Sequence, residues 1–229
     1  MTTIKRAQEL AARAAVAART EELFRASGAF REGHFLLKSG RHGDAYVEKF
    51  AVLADPAATS ELCGYWAARA RGQVDLVAGP TTGGVILAFE TARQLGTRSI
   101  FAEEVREPDG RPHRAFRRGF TIAPGERVLL VDDILTTGGS LLAMIPAVEA
   151  LGGEIVECSV MVDRSGGRST LTSPTTGRTY PLRALWELDL PTYEPGPDTC
   201  PRCAAGDPLV APGSTGAAAP GPESRPAGS

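Results

Sequence analysis

No stretch of these 229 residues contains eighteen consecutive apolar residues, so no membrane-spanning helix is expected. An excess of charge of either sign is also missing. With 25 Lys and Arg against 27 Asp and Glu the formal net charge is -2, and nonspecific nucleic-acid binding is not expected as the main activity. Cysteine is scarce: there are four, two of them isolated at Cys63 and Cys158, and this excludes a disulfide framework. The Gly-Lys-Ser/Thr of a Walker A loop is absent, and there is no tandem repeat. Near the N-terminus Lys5, Arg6, Glu9, Arg13 and Arg19 interrupt an alanine-rich segment, which lacks the unbroken apolar core of a secretory signal. The expectation left by these absences is a soluble cytoplasmic enzyme. Its 42% hydrophobic content is enough for one α/β core with some excess for appendages.

What the chain does have is concentrated between Val128 and Ser140, VLLVDDILTTGGS. An apolar run, Val128 to Val131, ends in two adjacent carboxylates, Asp132 and Asp133. Such a run fits a strand buried on both faces of a parallel sheet. Thr136, Thr137, Gly138, Gly139 and Ser140 then lead into an apolar-periodic helix with Leu141, Leu142, Ile145, Val148 and Leu151. Glycines let the backbone approach a ligand, and free amides at a helix start favour an anion. Acids followed by an anion cradle suit a ligand with hydroxyls on one side and a phosphate on the other, such as a ribose 5-phosphate.

A second loop of the same kind, Gly79 to Gly84, follows the apolar strand Val74 to Ala78 and precedes a helix from Val85 to Leu95. Strands near Arg98 to Ala102, at the Val128 run and at Ile155 to Asp163 continue a β-loop-α-β alternation, which implies a mostly parallel sheet with right-handed crossovers. Ligands of open α/β sheets bind beyond the carboxyl ends of such strands, so both loops are expected at one end of the sheet. Before them the sequence predicts a helix over Ile4 to Ala26 with Leu10, Ala14, Ala17 and Leu23 as its apolar stripe, two extended pieces at His34–Leu37 and Ala45–Phe50, and a helix from Pro56 with Leu62, Tyr65 and Trp66 inward. The expected organisation is an N-terminal helix and hood over residues 1–55, an α/β core over 56–191, a C-terminal extension over 192–211, and a disordered Pro/Gly/Ala/Ser tail over 212–229.

The Val128–Ser140 pattern resembles the signature of the type I phosphoribosyltransferases, which bind phosphoribosyl pyrophosphate (PRPP). Further segments narrow the resemblance. Phe35 to Gly40 (FLLKSG) is similar to an N-terminal segment of orotate phosphoribosyltransferases, and Met161-Val162-Asp163-Arg164 is similar to their V-D-R strand end. Ser165 to Arg168, Leu182 to Leu190 and Cys200-Pro-Arg-Cys203 resemble the variant found in Thermus-like bacteria, so the likeness covers roughly residues 20–210. It implies a central, mostly parallel sheet flanked by helices, with a small N-terminal hood. It also implies roles. Asp132 and Asp133 would take the ribose hydroxyls, Thr136, Thr137, Gly138, Gly139 and Ser140 the 5-phosphate, and Thr81, Thr82, Gly83 and Gly84 the pyrophosphate. Lys38 would serve both PRPP and orotate. Tyr46, Val47 and Thr136 would line the base, and Arg164, as a bidentate fork, would hold the orotate carboxylate. Mg²⁺ would be held mainly through substrate and water, with no direct side-chain ligand. The family's homodimer, with a catalytic loop shared across subunits, is the expected assembly, with neither nucleic acid nor membrane as partner.

The chain departs from that pattern in two places. The stretch corresponding to the mobile catalytic loop, Glu103 to Arg118, has no lysine and offers Arg106, Arg111, His113, Arg114, Arg117 and Arg118; Arg106, Arg111 and His113, nearer the expected tip, are with Asp133 the catalytic candidates. Gly43-Asp44-Ala45 stands where Ser-Pro-aromatic is common. A phosphoribosyltransferase for another nucleobase, and a PRPP-sensing nucleic-acid-binding regulator, share the same signature. The acidic balance and the lack of an added winged-helix domain weigh against the regulator. Cys200 and Cys203 form a C-x-x-C pair that supplies half of a tetrahedral zinc site. With no second pair in the chain a metal would need other ligands or a partner, so the expectation is a metal-free, redox-sensitive tail motif.

Overall fold

The computed structural model describes residues 3–37 and 39–212. Along the chain run α1 (Thr3–Ala26), β1 (Phe30–Leu36), β2 (His42–Val47), α2 (Lys49–Leu53), α3 (Pro56–Ala70), β3 (Leu76–Pro80), α4 (Gly83–Leu95), β4 (Arg98–Arg106) and β5 (Pro112–Phe116). There follow β6 (Arg127–Leu135), α5 (Gly139–Ala150), β7 (Glu154–Asp163), β8 (Thr170–Thr172), β9 (Thr179–Glu187), β10 (Thr192–Tyr193), α6 (Pro201–Ala204) and β11 (Leu209–Val210). These elements group into two compact units, one built from residues up to 30 and 47–189, the other from 31–46 and 190 onward.

The larger unit is a seven-stranded sheet in the order β5-β4-β3-β6-β7-β9-β8. Its five central strands run parallel, and β5 and β8 close the edges antiparallel. The central strands are apolar on both faces because helices cover both sides. Leu76, Ala78, Val128, Leu130, Val160 and Leu182 join Leu141, Met144, Ile145 and Val148 of α5 in one buried cluster. The opposite face carries Leu62 and Trp66 of α3 and Leu87 of α4, each fully buried. Asp55 caps α3, its carboxylate accepting from the Ala57 and Ala58 amides, with Pro56 in the first turn.

The smaller unit is a four-stranded sheet, β10-β2-β1-β11, in which β11 lies parallel to β1 and β10 antiparallel to β2. Arg41 ties β10 to this sheet by donating to the Thr192 hydroxyl at 2.8 Å and pairing with Glu194.

Three local expectations change. In α1 the buried side chains are Thr20 and Phe24 rather than an evenly spaced stripe, and Leu10 is 58% exposed. Phe50 belongs to the short helix α2, which Glu48 caps from its side chain, rather than to an extended piece. Strand β6 does not stop at Val131. It continues through both aspartates to Leu135 because β7 keeps pairing with it, Ile134 opposite Val162 and Leu135 opposite Asp163. The tail expected to be disordered over 212–229 lies, from 213 onward, outside the described residues.

Candidate active site

The two anion-ready loops sit side by side. Strands β3 and β6 are parallel neighbours, Leu76 opposite Val128 and Ala78 opposite Leu130, so Thr81–Gly84 and Thr136–Ser140 leave the sheet from the same end. Each loop feeds a helix, α4 starting at Gly83 and α5 at Gly139. Two helix N-termini therefore open at one end of the sheet, a setting that favours anions. Gly138 has φ 84°, a conformation glycine adopts without steric cost, and this turns the chain from β6 into α5. Asp132 and Leu135 to Leu141 enclose a pocket of about 190 Å³. Thr136, Thr137, Gly139 and Ser140 are exposed to it, and the Thr81–Thr82 peptide is cis.

Between the loops lie Asp132 and Asp133, both almost fully buried. Oδ1 of Asp132 accepts from the Asp133 amide at 2.9 Å, and Oδ1 of Asp133 accepts from the Ile134 amide at 2.7 Å. Oδ2 of Asp133 forms an ion pair with Lys49 Nζ at 2.8 Å. Burial first, and the neighbouring Asp133 charge second, push the Asp132 carboxyl up to about 7. The contact across the loops is tight: a Cβ built on Gly83 would stand 2.2 Å from Asp133 Oδ2, so only glycine lets the first loop come this close to the acid.

Arg164 follows β7, its amide donating to the Leu135 carbonyl at 2.7 Å. Its Nε is buried without a hydrogen-bond partner among the described residues, and burial lowers the guanidinium pKa. A buried directional donor of this kind suits an anionic ligand group.

The stretch Glu103–Arg118, expected as a mobile loop, is a β-hairpin, with β5 folded back on β4 so that His113 faces Val105. Arg106 and Arg111 at its tip pair locally with Glu104 at 3.2 Å and Asp109 at 2.6 Å, and His113 Nδ1 lies 3.3 Å from Glu107. The hairpin cation that reaches a loop is Arg114, which donates to the Thr81 hydroxyl at 2.9 Å. His113 and Arg114 also line a small pocket with Gly139 and Ser140. Arg168 donates to the Thr137 carbonyl at 3.1 Å.

The fold thus brings together Thr81–Gly84, Asp132, Asp133 and Thr136–Ser140. Val47 is buried at the end of β2. Tyr46 belongs to the smaller unit, where its ring centroid is 5.7 Å from that of Phe35. Lys38 lies outside the described residues. Sequence reasoning missed Lys49, whose partner is distant in the chain, and named Arg114 without ranking it.

Two helix-start loops flanking a carboxylate pair define a class. Residues 57–178 match the family model of the phosphoribosyl transferase domain, and the chain belongs to that family. Within it, the chain is 45% identical over 194 residues to the orotate phosphoribosyltransferase of Caldicellulosiruptor saccharolyticus, spanning 84% of this chain and 94% of that protein. It is 43% identical over 196 residues to the orotate phosphoribosyltransferase of a Methylobacterium species, spanning 84% and 93%. Among solved structures, the orotate phosphoribosyltransferase of Mycobacterium tuberculosis in complex with inorganic phosphate is similar with a TM-score of 0.57 and 26% identity, over 76% of this chain and 95% of that one. That of Aeropyrum pernix has a TM-score of 0.60 at 24% identity, over 73% and 92%, a likeness in fold. No helix among the described residues is long and apolar enough to cross a membrane.

Proposed function

We propose that this chain transfers the phosphoribosyl group from PRPP to orotate, giving orotidine 5-monophosphate and pyrophosphate in pyrimidine synthesis. The observation that carries the reading is the meeting of two helix-start loops around Asp132 and Asp133, with Gly83 so close to the Asp133 carboxylate that no side chain fits between them. The orotate names of relatives matched over 84% of the chain support the choice of base, as does the partnerless guanidinium nitrogen of Arg164.

On this reading Thr136–Ser140 hold the 5-phosphate through the amides that open α5, and Thr81–Gly84 hold the pyrophosphate. Asp132 and Asp133 accept hydrogen bonds from the ribose hydroxyls, and the ion pair with Lys49 fixes Asp133 in place. Arg164 receives the orotate carboxylate, with Val47 and Thr136 beside the ring. The bond from ribose C1 to the pyrophosphate oxygen breaks as a bond from the base nitrogen to C1 forms, through an oxocarbenium-like transition state. The protein aligns base and C1 and meets the negative charge growing on the leaving pyrophosphate. Hairpin side chains oppose that charge: the guanidinium groups of Arg106 and Arg111 and the ring N–H of His113 on closure, and Arg114 from its place on Thr81.

The buried oxygen pair of Asp132 and Asp133 suits a hard cation. Mg²⁺, held chiefly through substrate and water, would offset part of the negative charge of the pyrophosphate. A cytoplasmic homodimer in which the hairpin serves the neighbouring subunit completes the proposal.

The test is the loss of orotate absorbance with PRPP and Mg²⁺, run beside uracil, hypoxanthine and adenine. Consumption of orotate alone is the expected result. Equal or faster use of an uncharged base would contradict the assignment of Arg164.

A further inference from the structure

Of the chain's three histidines and four cysteines, two of each meet in one place. His34 lies on β1, His42 opens β2, Cys200 is the N-cap of the one-turn helix α6 and Cys203 lies within it, all in the smaller unit. One ligand atom from each falls within 4.8 Å of the others. His34 Nε2 is 3.6 Å from both sulfurs, His42 Nδ1 is 3.2 Å from Cys203 Sγ, and the two ring nitrogens are 2.8 Å apart. We propose that these four side chains form a tetrahedral zinc site that fastens the C-terminal extension to the β1–β2 sheet.

The distances follow zinc geometry. With Zn–N near 2.0–2.1 Å and Zn–S near 2.3 Å, a tetrahedron places nitrogen and sulfur about 3.6 Å apart. It places the two nitrogens about 3.4 Å apart, so the imidazoles part slightly as the ion enters. The protons are also arranged. His34 Nδ1 faces the Asp207 carbonyl at 2.9 Å, and a carbonyl only accepts, so Nδ1 carries the hydrogen and Nε2 turns its lone pair on the cluster. Two thiolates and two neutral imidazoles select zinc among the common divalent ions, and four protein ligands leave no open position for substrate. The site is therefore structural. Zinc entering the reduced cluster displaces one proton from each thiol, and the dication with two thiolates is neutral, which suits a buried setting.

Burial gives an independent reason. His34 and His42 are each 5% exposed and Cys200 is 1% exposed. In the smaller unit the described buried residues are these three with Phe35, Gly43 and Ala45, too few apolar side chains to hold four short strands by themselves. A unit of this size gains its stability from a staple. The C-x-x-C spacing alone is two ligands short, and the fold supplies them.

The full chain, purified without added metal or chelator, should contain one zinc per chain by elemental mass spectrometry. After chelation and refilling with Co²⁺ it should show the intense visible bands of a tetrahedral cobalt site and a sulfur-to-cobalt charge-transfer band. His42→Gln and Cys203→Ser should each lose the metal. Should these variants fold poorly, the wild-type zinc content and cobalt spectrum decide the matter by themselves. A reduced wild-type chain that binds neither ion, a native Cys200–Cys203 disulfide without metal, or octahedral cobalt bands would overturn the proposal.

Discussion

The two units of this chain solve the same problem in opposite ways. The larger one buries a broad apolar cluster drawn from five parallel strands and α5, and can therefore hold two nearly buried aspartates at its ligand end. The smaller one has almost no apolar interior and buries two imidazoles and a thiol instead. A polar group taken from water without a partner costs free energy. In the larger unit, on the proposed reading, that cost sits where a substrate with hydroxyls and phosphates would relieve it. In the smaller unit a cation offsets it permanently. Burial of polar groups thus marks a reaction site in one unit and a staple in the other.

The sharpest way to break this contrast is to remove the staple. Structural zinc in small motifs contributes on the order of 10 kcal/mol. Chelation should therefore abolish amide-exchange protection in residues 31–46 and 190–212, while β6 and β7 keep theirs. Retained protection in the smaller unit after complete metal removal would show that its sheet stands unaided.

Next in size comes Arg164, proposed to recognise the base. Arg164→Ala removes the partner of a desolvated carboxylate, a loss of about 2–5 kcal/mol. Orotate affinity should fall by that amount with PRPP affinity unchanged within a few-fold, as read by titration calorimetry of each substrate. Equal losses would move Arg164 out of the base site.

Gly83→Ala tests the approach of the two loops. The added methyl would press into Asp133 Oδ2 at 2.2 Å and displace the acid or the loop. A displacement near 1 Å costs roughly 100-fold in rate. kcat/KM should drop by about that factor with the thermal midpoint changed by only a few degrees. A variant of normal activity would mean the carboxylate position is not critical.

The smallest effect concerns Asp132 and pH. Its carboxyl is raised from the ordinary 3.8 to about 7 by burial and by Asp133. Between those values the folded chain holds a proton that the unfolded chain has lost, so this group's contribution to stability falls as pH rises through the window and levels off above it. Asp132→Asn removes the penalty. It should raise the melting temperature at pH 8, by the equivalent of about 1–4 kcal/mol, and the gain should fade toward pH 4. Ribose binding should weaken at the same time. A variant destabilised at pH 8 would mean Asp132 is well solvated in the folded state.

The same contrast governs what the sequence made legible. The larger unit writes its site locally. Val128–Val131, the acids and Thr136–Ser140 are contiguous, and the second loop repeats the pattern, so both loops and their shared sheet end could be read from periodicity and turn chemistry. The extension of β6 to Leu135 could not, because it depends on pairing with β7. Lys49 on Asp133 and Arg114 on Thr81 were hidden for a similar reason: each is a tertiary contact of a residue that in sequence is only a solvated cation. The exposure of Leu10 belongs to the same limit, since an apolar spacing shows which face a helix offers and not whether anything covers it. In the smaller unit the four ligands are split between residues 34–42 and 200–203, and only folding joins them. The visible signal was the C-x-x-C half of the set, together with two histidines eight residues apart across a turn.

On the proposed reading the paired loops of the larger unit carry phosphoribosyl transfer to orotate. Its most direct test is a mass balance on the purified chain with limiting PRPP, excess orotate and Mg²⁺, in which orotate lost, orotidine 5-monophosphate formed and pyrophosphate released are measured in one sample. The three quantities should be equal at every time point. Pyrophosphate appearing while orotate stays constant, or orotate untouched while adenine or hypoxanthine is consumed, would contradict it.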